Sequence, residues 1–293
     1  MPPQRMALIG SKGMLAQAVR ESCTSFYRIL PYDLPEFDLT DRELVLQVLG
    51  SARPDIIVNC AAYTNVDQCE SEPVLAHKVN GDGPGFLAEA AKIVGAVLIH
   101  FSTDYVFDGT QTTPYREADA PRPKSEYGRS KLRGEMAIAN SGLEEYYILR
   151  TSWLYGPGGK NFVETIVRLA GEREELRVVA DQFGGPTFTR DLAEALHQLI
   201  DNRANYGIYH FSNGGECSWY DFAAEIVAQA HKQDLNLSLL RLLPIRTEEY
   251  PLPAPRPAYS VFCTKKYVNA TSAAVPVWQD ALGRYFAERK KVV

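Results

Sequence analysis

The 293-residue chain predicts an α/β fold, with a doubly wound parallel sheet over about the first 150 residues and a smaller mixed α/β region after it. Two observations predict it. The runs Met6–Ile9, Ile56–Val58, Ala96–Ile99 and Tyr147–Leu149 are continuously apolar, which suits strands covered on both faces, as in a parallel sheet between helices. Between them lie stretches of helical spacing, and strand alternating with helix implies right-handed crossovers. At roughly 100–200 residues per domain, the length gives one large or two ordinary domains and room for a cleft.

Taken in order, the first strand, Met6–Ile9, runs into Gly10-Ser11-Lys12-Gly13-Met14-Leu15-Ala16 and then a potential helix, Gln17–Glu21. Glycine permits a tight turn and close approach of backbone N–H groups to a pyrophosphate, which the positive end of a helix dipole favours. The turn therefore predicts a dinucleotide site at Gly10, Gly13, Met14 and Leu15 in a Rossmann-type sheet. Arg28–Tyr32 reads as a second strand despite Pro31, and Asp33 at its end either receives the adenosine ribose hydroxyls or begins a loop before Pro35. The ribose role suits NADH, whereas Arg5 and Lys12 would serve the 2′-phosphate of NADPH. Asp38, Leu39 and Thr40 lie where a loop meets adenine. From Pro73 to Val94, apolar Leu75, Val79, Leu87, Ala90, Ala91 and Val94 recur at three and four residues, predicting one helix.

Further helices are expected around Phe162–Leu169, Asp191–Ile200 and Trp219–Ala230. Five prolines between Pro244 and Pro257 exclude a regular helix and predict an extended surface segment, either linker or lid. Arg289-Lys290-Lys291 reads as a solvated helix end.

Composition narrows the function. Charged residues are 23% and hydrophobic residues 45%, near globular averages, and a net charge of −5 offers no basic excess for a nucleic-acid backbone. Five scattered cysteines without a Cys-x-x-Cys pair give neither a disulfide framework nor a zinc site. The absence of a signal-peptide core and of any run of about 18 apolar residues predicts a soluble, cytoplasmic protein without a membrane partner.

Tyr127-Gly128-Arg129-Ser130-Lys131 places a phenol and an ammonium one helical turn apart, and Ser102-Thr103-Asp104 follows the run Ala96–Phe101 at the carboxyl edge of the expected sheet. A phenol with pKa about 10 is a slow proton donor, and a neighbouring ammonium is expected to shift it toward working range. Hydride addition to a carbonyl creates an alkoxide, so Tyr127 would deliver a proton while Thr103 hydrogen-bonds the same oxygen.

With these residues in place, the chain resembles the extended short-chain dehydrogenase/reductases and, more narrowly, the dTDP-4-dehydrorhamnose reductase family. The resemblance runs through Asn59–Asp67 with Glu70, Phe101–Gly109, Tyr127–Lys131, Arg150–Gly156 and Asp181–Thr187. It implies a catalytic set of Thr103, Tyr127 and Lys131. Ala61, Ala62 and Tyr63, with Tyr127 and Lys131, would line NADPH or NADH, while Thr103, Asp104, Tyr105 and Trp153 would meet the substrate. Arg256 of the Arg256-Pro257 element would either pair with the substrate diphosphate or stay a solvated surface arginine. Trp153 offers a broad face for a sugar or base, or else belongs to the core.

The implied organisation is a Rossmann domain at 1–152, with segments from about 186–213 and 258–275 returning to it. Residues 153–293 would form the mainly nucleotide-sugar-binding domain. The implied reaction is reduction of the 4-keto group of dTDP-4-dehydro-6-deoxy-L-mannose to dTDP-L-rhamnose by a monomer or homodimer. Another epimerase, dehydratase or reductase of the scaffold is the alternative, though Tyr105 rather than Glu follows Asp104 and removes the second acid/base of a dehydratase. A noncatalytic binding protein like the regulatory subunit of methionine adenosyltransferase is the other. Some family members hold magnesium among glutamates at a dimer contact; no full carboxylate set maps here, so no metal is assigned.

Overall fold

The structure, a computed structural model, describes residues 3–289. Its elements are β1 (Arg5–Ile9), α1 (Met14–Cys23), β2 (Arg28–Tyr32), α2 (Arg42–Ala52), β3 (Ile56–Asn59), α3 (Val66–Ser71), α4 (Pro73–His77), α5 (Gly83–Val94), β4 (Val97–Thr103), α6 (Glu126–Ala139) and β5 (Tyr146–Thr151). There follow β6 (Leu154–Tyr155), α7 (Phe162–Glu172), β7 (Glu175–Val179), β8 (Phe183–Gly184), β9 (Thr187–Phe188), α8 (Thr189–Asp201), β10 (Gly207–His210), β11 (Cys217–Ser218), α9 (Trp219–Lys232), β12 (Arg241–Ile245), α10 (Lys265–Thr271) and α11 (Trp278–Arg289).

Six strands form one parallel sheet in the order β2-β1-β3-β4-β5-β10. Both faces are covered, as the unbroken apolar runs require: α1 and α8 contribute to the core on one side, and α2, α5 and α6 to that on the other. Strand order reverses on either side of β1 and β3, and this switch point opens a crevice beyond their carboxyl ends. Pro31 is tolerated because β2 is an edge strand, where one side of the backbone needs no partner. A third core, built from α7, α9 and α11, lies under the small strand pairs β6–β9 and β7–β12. Among the described residues no helix is long and apolar enough to cross a membrane.

Two expectations need correction. The single helix expected over Pro73–Val94 is broken into α4 and α5 by a π turn at Lys78–Asp82, which swings the Asn80 side chain inward. Glycines at 81, 83 and 85 weaken the regular ladder, and Pro84 withholds a backbone donor. The proline-rich segment holds no α-helix, as expected: it begins in the paired strand β12, which accommodates Pro244, and continues as a largely exposed irregular strap with one 3-10 turn at Thr247–Glu249. Arg289 is not a free solvated end, because its guanidinium grips the Glu164 carboxylate at 2.8 and 3.1 Å; Lys290 and Lys291 lie outside the described residues.

Candidate active site

The crevice is built first by Gly10. Its φ of +72° is left-handed, and a Cβ there would stand 2.7 Å from the Ala61 nitrogen, so no other residue fits without displacement. The Gly10 and Ser11 N–H groups donate to the Tyr32 carbonyl, tying the turn to β2. Gly13 caps α1 without any side-chain acceptor, leaving the first N–H groups of that helix available to an anion. A cleft of about 300 Å³ opens here, and Gly10, Gly13, Asp33, Asp38, Leu39, Ala61 and Ala62 all line it.

Asp33 is held at the end of β2 by the Lys12 and Leu34 N–H groups (2.7 and 2.8 Å). Asp38 spends one oxygen on the Thr40 backbone and hydroxyl. The Leu15 side chain is buried in the core against the sheet, while its backbone N–H, in the first turn of α1, is among those left open. Met14 lies against Asn161 and Gly159. Tyr63 stands outside the cleft, its hydroxyl on Glu72 and its backbone on Asn80. Arg5 reaches the Ala52 carbonyl, away from the place proposed for a 2′-phosphate.

Thr103, Tyr127 and Lys131 gather where β4 ends and α6 begins. Ser125 caps α6 by accepting the Gly128 N–H at 3.1 Å, which sets Tyr127 in the first turn. Gly128 is required for approach: a Cβ would overlap the Tyr105 carbonyl oxygen, so only glycine brings α6 against the turn following Thr103. The Tyr127 ring meets Tyr105 edge to face with centroids 5.5 Å apart. Burial pushes the phenol above its ordinary pKa, opposed by the hydroxyl of Thr103 and reinforced by the charge of Asp104. The downward shift expected from Lys131 is therefore not what the phenol experiences. The Lys131 amine instead donates to the Phe101 carbonyl at 2.6 Å, and burial brings its pKa down to about 8.

Asp104, expected against substrate, is almost wholly buried and spends its carboxylate on the Thr103 hydroxyl (3.0 Å) and the Ser260 hydroxyl (2.7 Å). Burial raises its pKa to about 6. Tyr105 is likewise pushed upward, chiefly by burial.

Trp153 adopts a left-handed φ of +46°, and its indole stacks on Trp219 at 3.5 Å with Gly184 packed against its edge. Arg256 is not a solvated arginine: its guanidinium takes both oxygens of Asp67 and reaches the Ala254 carbonyl.

Several supporting residues escaped the sequence reading. Asn80 bonds both the N–H and carbonyl of Tyr63 and the Ser130 hydroxyl, clamping the loop after β3 to α6. Arg150 and Glu135 form a fully buried bidentate pair (2.9 and 2.6 Å) between β5 and α6. Asn59, His100 and Ser260 complete the polar shell. Asn59 and Arg150 lay inside motifs quoted from the sequence; nothing in the pattern marked Asn80.

The fit to a dinucleotide rests on the Gly10 cradle and the open N-terminus of α1. Beyond it stand a phenol, a hydroxyl and an amine at the carboxyl edge of a parallel sheet. Groups of these types, so placed, are chemically suited to giving a proton to an oxygen bound beside them.

Comparison with known proteins agrees with this fold. Residues 4–291 match the family model described as RmlD substrate binding domain. The chain is similar to a dTDP-4-dehydrorhamnose reductase of Burkholderia thailandensis, 40% identical over 289 residues covering 95% of this chain and 97% of that one. It is also similar to a spore coat polysaccharide biosynthesis protein of Bacillus subtilis, 41% identical over 286 residues with 97% and 98% covered. Among solved structures, a dTDP-4-dehydrorhamnose reductase of Bacillus anthracis in complex with NADP superposes with a TM-score of 0.91 at 41% identity, covering 98% of this chain and 99% of that one. The match of a single family model across nearly the whole length, with relatives about 40% identical over at least 95% of the chain, means that the chain belongs to the RmlD substrate binding domain family.

Proposed function

We propose that the chain is an NAD(P)H-dependent reductase of the 4-keto group of dTDP-4-dehydro-6-deoxy-L-mannose, giving dTDP-L-rhamnose. The observation that carries this reading is the convergence of Thr103, Tyr127 and Lys131 on the edge of the sheet beside the glycine-turn cleft. The names of the relatives, one of them solved with NADP, support the substrate class and the cofactor.

The cleft of Gly10, Gly13, Asp33 and Ala61 would hold the dinucleotide, which supplies a hydride when bound. Tyr127 gives its proton to the ketone oxygen. Thr103 hydrogen-bonds the same oxygen once its own proton turns from Asp104. Lys131 restores the phenol. Trp153 and Trp219 would offer an aromatic wall to the nucleotide sugar, and Arg256 would reach the diphosphate from the strap. On this reading residues 1–152 form the cofactor domain and 153–293 mainly the sugar-nucleotide domain, in a cytoplasmic monomer or homodimer.

The test is oxidation of NADPH or NADH with the keto-sugar nucleotide. Net consumption of reduced cofactor supports a reductase. Conversion without it points to an epimerase or dehydratase, and no conversion at all removes the assignment.

A further inference from the structure

A buried polar row crosses the carboxyl ends of β3 and β4 and ends on the catalytic amine. Asn59 and His100 are register partners on these neighbouring strands, and both side chains are buried. The Ala61 N–H donates to Asn59 Oδ1 at 3.1 Å. Asn59 Nδ2 lies 3.0 Å from His100 Nδ1, and His100 Nε2 lies 3.4 Å from Lys131 Nζ.

Donor and acceptor rules fix the protons along this row. A backbone N–H only donates, so the oxygen of Asn59 must face Ala61 and its NH2 must face the ring. An NH2 group also only donates, so His100 Nδ1 presents its lone pair. The neutral imidazole then carries its proton on Nε2, aimed at Lys131. An ammonium has no lone pair with which to accept it; an amine has one.

We infer that His100 is a positioning residue for Lys131: fixed by Asn59 as the Nε2–H tautomer, it presents an N–H that favours the uncharged amine and eases proton release from the ammonium. The inference deepens the proposed reductase reading. After Tyr127 has given up its proton, an Nζ–H bond of Lys131 breaks and the phenol O–H forms. The amine left behind keeps its donation to Phe101, accepts the His100 N–H and is reprotonated by water.

The remaining groups around the amine do not duplicate this role. Cys60, beyond β3, is held in its thiol form by burial. Glu135, on the same helix as Lys131, favours the ammonium, but its carboxylate is taken by Arg150 from β5. The downward displacement of Lys131 and the strong downward displacement of His100 agree with a neutral ring beside a reluctant ammonium.

The experiment is nitrogen NMR of the [15N]histidine-labelled chain without cofactor or substrate, with the His100 signals identified by their loss in His100→Gln. The expected result is the neutral Nε2–H pattern throughout about pH 6–9. Asn59→Asp keeps an acceptor for Ala61 but offers His100 a carboxylate, so its pattern should switch to Nδ1–H. A wild-type Nδ1–H pattern, or a ring titrating near pH 6.5, overturns the inference.

In the reductase assay, both His100→Gln and Asn59→Asp should move the alkaline fall of kcat/KM upward by about one pH unit, a tenfold gain at fixed alkaline pH. Reduced turnover with an unmoved profile shows a structural role only and also overturns it. If even the wild type reduces no keto sugar, the proposed function fails, while the labelled ring still decides this inference.

Discussion

Arg256 holds Asp67 through two parallel contacts, Nη1 to Oδ1 at 2.5 Å and Nη2 to Oδ2 at 2.8 Å, and so fastens the strap after β12 to the first turn of α3. The Ala254 N–H adds a third bond to the same carboxylate. The Arg256 hydrogen bonds hold the Asp67 carboxyl below its ordinary pKa. A depressed carboxylate contributes stability above its unfolded pKa, near 3.9, and loses it as pH falls through the folded value. Asp67→Asn should therefore lower Tm at neutral pH, and the deficit should shrink below about pH 4. Thermal scans at both ends check this; a deficit independent of pH rules out the charge pair as its source.

Tyr127→Phe removes the phenolic proton and leaves the ring against Tyr105. General acid catalysis of this kind contributes roughly 10²–10⁴-fold, so kcat should fall by that order while cofactor affinity changes little. Steady-state kinetics paired with cofactor titration separates the two. Full turnover in the variant would exclude Tyr127 as proton donor.

Gly10→Ala adds a Cβ at a left-handed φ and against the Ala61 backbone. The strain is about 1–3 kcal/mol, and relief requires the turn or the Ala61 loop to move. Denaturant unfolding should show the loss, and isothermal titration should show NAD(P)H binding weakened far more than global stability.

Breaking the Arg150–Glu135 pair by Glu135→Leu alone strands a buried guanidinium and should cost about 3–5 kcal/mol. The double variant Arg150→Met with Glu135→Leu should recover most of it, because no uncompensated charge remains. A double-mutant cycle in urea measures the coupling; simple additivity would contradict it.

Asp104 has the opposite sign to Asp67. Its folded pKa of about 6 lies above the unfolded value, so between about pH 4 and 6 the folded chain binds more protons and stability falls as pH rises. The cost above pH 6 is on the order of 3 kcal/mol. Asp104→Asn avoids it, so the Tm of the variant relative to wild type should improve from pH 4.5 to pH 8. A constant difference across that range would show that Asp104 is not destabilised by ionisation.

The sheet was legible because burial on two faces leaves a plain mark, an unbroken apolar run. The glycine turn and the Tyr127/Lys131 spacing were legible because backbone approach and helical period both act locally. The π turn was not, since the apolar period of 73–94 continues through it and the departure depends on where Asn80 finds partners. The inward turn of the Leu15 side chain was not legible for a related reason: adjacency to a glycine turn does not say which face of α1 turns toward the sheet. The fates of Asp104 and Arg256 were hidden because Ser260 and Asp67 are remote in the chain, and remote pairing leaves no trace in spacing.

The side chain of Asn80 makes one mechanical unit of three segments separated in sequence. Tightening the loop at Tyr63 around an occupant pulls through a single amide on the helix that carries the phenol. Occupancy of one half of the crevice should therefore slow amide exchange at the start of α6, and Asn80→Ala should leave the two halves to breathe independently.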